Sequence, residues 1–372
     1  MRTLIKVCFM ALAVLLAAMP LLACGGAEAP TPTPAPTPSP APTPTPPPPH
    51  EEVTLRFYTV SRVSYVHILS VGLAEITKKA HPWLRLEPIE AMGTSSNIGI
   101  LQKEPERRTD TIIFGNSYSN DDAIHVRPPF TEPYNDLRCI ATFGTAILDA
   151  YTTDPTIKTM ADMKGHSADF SPAGATPGKL FPAMLEVLGI RDQVKVSNSG
   201  WNEMKDAFID GLVDVAVGSG SGYPTTGFYP SAHTVEAYAA RKPTYIYFSQ
   251  ELLNEAALAL GYKVFPYGVM APGAWLDDYL EEFPYAAHDN GWWCDKSLDE
   301  EIVYELTKTI VENVDQFGAY YETGKFMNRS NIAWAPITPE LFHPGALRYY
   351  REQGIPVGFE ADVGLDVTPI AK

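Results

Sequence analysis

The chain has 372 residues, 45% of them hydrophobic and 19% charged, and its 44 acidic against 28 basic side chains give a formal net charge of −16. That excess of negative charge argues against nucleic acid and anionic lipid headgroups as partners.

Arg2 and Lys6 precede the apolar run VCFMALAVLLAAMPLLA, which is short for a membrane span and contains Pro20. This is the layout of a secretory signal. The run ends in LLAC, which resembles a bacterial lipobox: cleavage before Cys24 would leave a thiol to carry diacylglycerol, and small Ala23 and flexible Gly25-Gly26 flank it accordingly. The alternative is an ordinary secretory signal with an incidental cysteine. The expectation is a lipoprotein signal peptide over 1–23 and attachment to a membrane through lipid on Cys24. Residues 24–51 follow as a Pro/Thr-rich linker with no hydrophobic face to bury, so it is expected to stay solvated and extended. At about 3.1 Å per residue such a spacer reaches roughly 60 Å, enough to hold a globular body clear of a membrane. With Cys8 gone in the leader and Cys24 lipidated, Cys139 and Cys294 are left to bridge or not in an oxidising exterior.

About 320 residues remain, enough for one large two-lobed domain or two ordinary ones. VTLRFYTV (53–60) alternates as a strand does, and Val66, Leu69, Leu73 and Ile76 then recur at helical spacing. WLRLEPIE reads as a second strand, TSSNIGILQK as a helix entered through Thr94 and Ser95, and DTIIFG as a third strand. That β-α-β-α-β order predicts a parallel sheet covered by helices. The rhythm repeats with HSADFS, a helix through FPAMLEVLG, then QVKVS, the helix WNEMKDAFIDG and VDVAVG, so a second α/β lobe is expected. From about 300, Ile302, Leu306, Ile310, Val314 and Phe317 mark one long amphipathic helix, followed by a loop and a short helix around 346–352. The predicted organisation is an α/β chain with a first lobe over 52–145, a second over 146–265, and 266–372 completing the first with C-terminal helices. A cleft between two such lobes would close on a small molecule by hinge motion.

Motifs for catalysis are missing. No HExxH occurs among the eight histidines, and no cysteine pair has metal-ligand spacing, so neither a metal nor a cofactor is expected. GSGSG (218–222) has Gly220 where a nucleophile elbow needs serine, and it also fails GxGxxG. What the sequence offers is small polar residues at strand ends, where backbone N–H groups and helix dipoles can meet an anion. MGTSSN (92–97) lies between a strand and a helix, with Thr94 and Asn97 the candidates for ligand contact and Ser95 a helix cap. SPAGATPG (171–178) opens a helix, Gly174 allowing close backbone approach and Thr176 supplying a hydroxyl, though an ordinary cap fits there equally well. GSGSGYP (218–224) looks too glycine-rich for a core and reads as a hinge, a ligand cradle or both, with Ser219 and Ser221 as donors and Tyr223 placed to cover an organic ligand. Asn116, just after the third strand, joins the candidate set.

LAEITKK (73–79), MGTSSN, DGLVDVAVGSGSGYP (210–224) and FHPGALRYYREQG (342–354) fall in one order that resembles the TAXI group of solute-binding proteins, the extracytoplasmic receptors of tripartite ATP-independent periplasmic (TRAP) transporters. The resemblance implies a type II periplasmic-binding-protein fold with two crossovers between lobes and a ligand cleft there. It also implies a small carboxylate or amino-acid-like ligand and TRAP membrane permease subunits as partners. Where that group carries a GGTYYPLG-like turn this chain reads VSYVHILS (63–70), which puts Tyr65 and His67 in place of its tyrosines, and AGATPG replaces a GSGT-like turn. Two other readings stay open on the residues alone: an extracellular sensor or protein-interaction module on the same fold, and a hydrolase, for which no nucleophile with an evident base is found.

Overall fold

The structure is a computed structural model that describes residues 51–62 and 64–367; the leader, Cys24 and almost all of the proline-rich linker lie outside the described residues. Among the described residues no helix is long and apolar enough to cross a membrane.

The first elements are β1 (Val53–Tyr58), α1 (Tyr65–Ala80), β2 (Leu84–Ile89), α2 (Thr94–Lys103), β3 (Thr111–Gly115) and α3 (Ser117–Ile124). In α1 the predicted stripe Val66, Leu69, Leu73 and Ile76 is buried, and the Ser64 side chain caps the helix by accepting from Val66 N. The 16-residue β4 (Leu137–Thr152) leads away to β5 (Ser167–Asp169), α4 (Thr176–Val187), β6 (Lys195–Ser197), α5 (Trp201–Ile209), β7 (Val215–Tyr223), β8 (Gly227–Pro230), α6 (Ala232–Arg241), β9 (Thr244–Tyr245), α7 (Gln250–Ala259) and β10 (Tyr267–Met270). The 13-residue β11 (Phe283–Asp295) returns, followed by α8 (Glu300–Glu312) and α9 (Pro344–Glu352).

All eleven strands belong to one sheet, ordered β2-β1-β3-β11-β4-β7-β5-β6, with β10 on β11, β8 on β7 and β9 on β4. β1, β2 and β3 are parallel, as are β5, β6 and β7, while β4 and β11 run antiparallel to their neighbours. Two hydrophobic cores form on this sheet. Leu137 to Phe143 of β4 and Trp292 to Cys294 of β11 enter the first, with α1, α8 and α9. Ile147 to Tyr151 of β4 and Phe283 to Ala287 of β11 enter the second, with α4, α5 and α7. The two long strands therefore carry the chain between the cores, and the second core runs on to Ala287, past residue 265.

Two features differ from the sequence reading, each for a local reason, and the open question of the two cysteines is answered. The helix expected to continue through Phe317 stops at Glu312; Asn313 donates its side-chain amide to Thr309 O, and the chain tightens into a 3₁₀ turn over Val314–Ala319. GSGSG is the interior of a buried strand, not a loop. Its glycines are needed because a Cβ at Gly218 would meet Asp149 at 2.2 Å and one at Gly220 would meet Trp275 at 2.2 Å. Cys139 and Cys294 are free, buried thiols. Cys139 pairs with Trp293 across the ladder and Cys294 with Arg138, a register that sends the two sulfurs to opposite faces of the sheet.

Candidate functional site

The passage between the cores is where the ladder is least regular. The β4–β11 register slips where Asp289 pairs with Thr145 but Gly291 pairs with Thr142, so two residues of β4, Phe143 and Gly144, stand opposite the single residue Asn290, and Gly144 has φ +129°. A Cβ at Gly144 would also meet Ser221 Oγ at 2.4 Å, so glycine is required there on two counts.

Around this irregularity an apolar strand turns polar: His288, Asp289 and Asn290 are all buried. Asp289 accepts from the N–H of Ser117, 3.1 Å from each carboxylate oxygen, and from the Ser117 hydroxyl. Burial pushes its pKa up to about 6 against the opposing effect of those hydrogen bonds. Burial drives His288 the other way, to about 4, so this ring is neutral at ordinary pH. Thr145 on β4 donates to Gly222 O, tying the third strand of the passage to the first two.

Tyr65, at the start of α1, meets this polar run. Asn290 Nδ2 donates to the Tyr65 hydroxyl at 2.6 Å. The phenol oxygen is thus occupied as an acceptor, and its proton is left for another partner; the buried Ser221 side chain is its neighbour. The Tyr65 ring lies 5.9 Å from that of Tyr321, which in turn lies 6.2 Å from Tyr229 on β8. Tyr65 and Tyr321 pack on the first core, and Tyr229 belongs to a strand paired with β7. The cluster thus combines hydroxyl and amide donors with aromatic faces, and it draws on both sides of the passage.

The sequence candidates distribute as follows. Tyr65, Ser221 and Tyr223 come to the crossover strands, although Tyr223 is fully buried with its ring edge-on to Trp334. Thr94 and Asn116 meet at α3: Thr94 Oγ1 is 2.7 Å from Ser119 Oγ, and Asn116 caps the helix by accepting from Ser119 N. Asn97 is fully buried, and its amide donates to the carbonyls of Tyr58, Thr59 and Phe114, clamping the ends of β1 and β3. Ser95 is not the cap of α2; that position is Gly93. His67 pairs through Nδ1 with Thr59 Oγ1 at 2.7 Å, and burial together with nearby Arg62 lowers its pKa, so it carries no charge to offer a carboxylate at neutral pH. Ser219 turns instead to the start of α6, with Ser231 Oγ at 2.9 Å and His233 Nε2 at 3.1 Å. Thr176 is the first residue of α4 and Gly174 lies in the loop before it. A Cβ at Gly174 would meet nothing within 4 Å; the close approach belongs to Gly178 in the first turn of α4, where a Cβ would meet Pro172 O at 2.3 Å. Sequence reasoning missed Asn290, Asp289, Tyr229 and Tyr321. The polar HDN inside FPYAAHDNGWWCD was the available signal for the first two, since an apolar strand holds such a run only where it has partners.

Several solved structures are similar along most of their length. MatC from Rhodopseudomonas palustris, solved with bound malate, is 13% identical, and the match covers 82% of this chain and 97% of that one with a TM-score of 0.47. The periplasmic aliphatic sulphonate binding protein SsuA from Escherichia coli is 11% identical over 87% of this chain and 94% of that one, TM-score 0.43. A TctC solute binding protein from Polaromonas, solved without ligand, is 11% identical over 76% and 90%, TM-score 0.43. A family profile matches residues 58–354, which takes in most of both cores, both crossover strands and α9, and the chain belongs to the NMT1-like family.

Proposed function

We propose that this protein is an extracytoplasmic, lipid-anchored receptor of type II periplasmic-binding architecture that captures a small organic anion, a carboxylate or amino-acid-like solute, and hands it to TRAP membrane permease subunits. The observation that carries the reading is the Tyr65–Asn290–Ser221 cluster at the passage between two cores. It presents hydroxyl and amide donors beside aromatic faces. A carboxylate held there is bound by neutral donors without a buried ion pair, which avoids the desolvation penalty of a second buried charge. The N-terminus of α1 brings Tyr65 to the cluster, a favourable placement for negative charge, while that of α3 already holds the Asp289 carboxylate through Ser117. The order of the blocks quoted above supports the TRAP assignment, and the LLAC leader supports the anchor.

A thermal-shift panel of small carboxylates and amino acids tests the receptor reading through mass-action stabilisation. A solute that raises the melting temperature is the expected result; no response to any of them sinks the proposal. The anchor has its own test, because Cys24→Ala should release a folded protein from the membrane fraction.

A further inference from the structure

The chain crosses between the cores once more after α9. Ile355 and Val357 belong to the first core, whereas Ala361, Val363 and Leu365 are buried in the second. The departure point is fixed on the first side: Gly358 N donates to Ala333 O at 2.8 Å, Phe359 N to Ile337 O at 3.2 Å, and Arg351 of α9 holds Glu360 through both guanidinium nitrogens at 2.6 and 2.9 Å. The landing is fixed on the second. Gly364 has φ +79°, and a Cβ there would meet Pro224 Cβ at 2.9 Å, so the segment sits against the turn after β7 in a conformation that glycine alone adopts easily. Asp366 accepts from Gln250 Nε2 of α7 at 2.6 Å and forms a bridge to Tyr267 at the start of β10.

We propose that residues 358–367 are a strap that limits how far the two lobes open. β4 and β11 are continuous strands that can twist; the strap spans the same gap as an irregular segment pinned at each end, and closing a loop across moving parts narrows the range of separations they reach. Its landing on the β7–β8 corner also places it next to the strand that carries Ser221 and Tyr223. The inference does not depend on what the ligand is.

The test is a distance distribution by double electron–electron resonance in the full chain. Labels go on Glu106→Cys and Leu212→Cys, two exposed positions on opposite lobes, with Cys8→Ser and Cys24→Ser so that the buried native thiols are the only others. Gly364→Val should broaden the distribution and move it to longer distances, and Asp366→Ala should do so to a smaller degree. An unchanged distribution in both variants would overturn the proposal, leaving the segment as mere cover for the second core. Should Gly364→Val fail to fold, the Asp366→Ala and Gln250→Ala pair decides by the same criterion, since neither contributes to the cores.

Discussion

Two polar clusters of similar composition sit on this sheet, one at the ends of β1 and β3 and one at the passage between the cores, and they differ in how their groups are satisfied. In the first, the Asn97 Nδ2 is shared among three backbone carbonyls, the Asn116 carbonyl holds a helix N-terminus and Thr94 pairs with Ser119, although the Asn97 Oδ1 is buried without a partner among the described residues. In the second, Tyr65 keeps its proton after accepting from Asn290, and the buried Ser221 hydroxyl stands beside it. Residue type proposes both clusters as sites; only hydrogen-bond accounting separates a brace from a receptor.

The largest expected effect probes the limit of that accounting. Asp149 is fully buried in the second core beside Gly218, and burial raises its pKa to about 8. A carboxyl raised in the folded state is protonated in both states below its ordinary pKa near 4; from there upward the unfolded chain ionises first, so stability falls with rising pH until about 8. Each pH unit in that window is worth about 1.4 kcal/mol, so Asp149→Asn should gain on the order of a few kcal/mol over wild type at pH 8 and almost nothing at pH 4. Urea melts across that range would show parallel curves if the carboxyl is not buried and neutral. Next, Asn97→Ala should cost about 1–3 kcal/mol of stability by leaving buried carbonyls without a donor. Its ligand affinity should be unchanged under conditions where the variant is folded; a selective loss of affinity in calorimetric titration would return Asn97 to the binding site. Tyr65→Phe should weaken affinity about tenfold, or about 1.4 kcal/mol, in addition to a loss of about 1 kcal/mol of stability from the Asn290 amide left without its acceptor, so affinity and stability fall together there, unlike at Asn97. The smallest effect concerns two neighbouring glycines, Gly174 in the loop before α4 and Gly178 in its first turn. Gly174→Ala should be neutral or stabilising by about 0.4–1 kcal/mol, because nothing crowds the added methyl and the unfolded chain loses freedom. Gly178→Ala should be destabilising, and a ranking in the other direction would show that the loop backs onto ligand rather than onto Pro172.

Much of the fold was legible where periodicity is strong. The β1–α1–β2–α2–β3 run is read correctly because Val66, Leu69, Leu73 and Ile76 mark one helical face and the strands alternate. β11 was not legible as a passage: all of it is buried, so a strand of 13 residues shows no alternation, and its aromatic and polar residues carry no period. β7 misled for the opposite reason, since glycine signals a turn unless the neighbours that crowd it, Asp149 and Trp275, are known. Among the candidate residues, Ser221 was offered by the glycine-rich GSGSGYP stretch and Tyr65 by the resemblance at VSYVHILS. Asn290 had only the polar HDN run as a signal, and Tyr321 had none, because it reaches the cluster from a segment more than 200 residues from Tyr65 in sequence.

The continuous β4–β11 ladder also has a mechanical meaning. A pair of hydrogen-bonded strands is stiff against bending in the plane of the sheet and yields mainly to torsion. The one place where its ladder is weakened by both a bulge and a left-handed glycine is the level of Asn290 and Gly144. Deformation should therefore concentrate within a few residues of Tyr65 and Ser221. Under the proposed function the donors offered to a solute lie beside this weak point, where a small rotation would alter their angles first, so occupancy of the cluster and the pitch of the ladder would be coupled through the same hydrogen bonds.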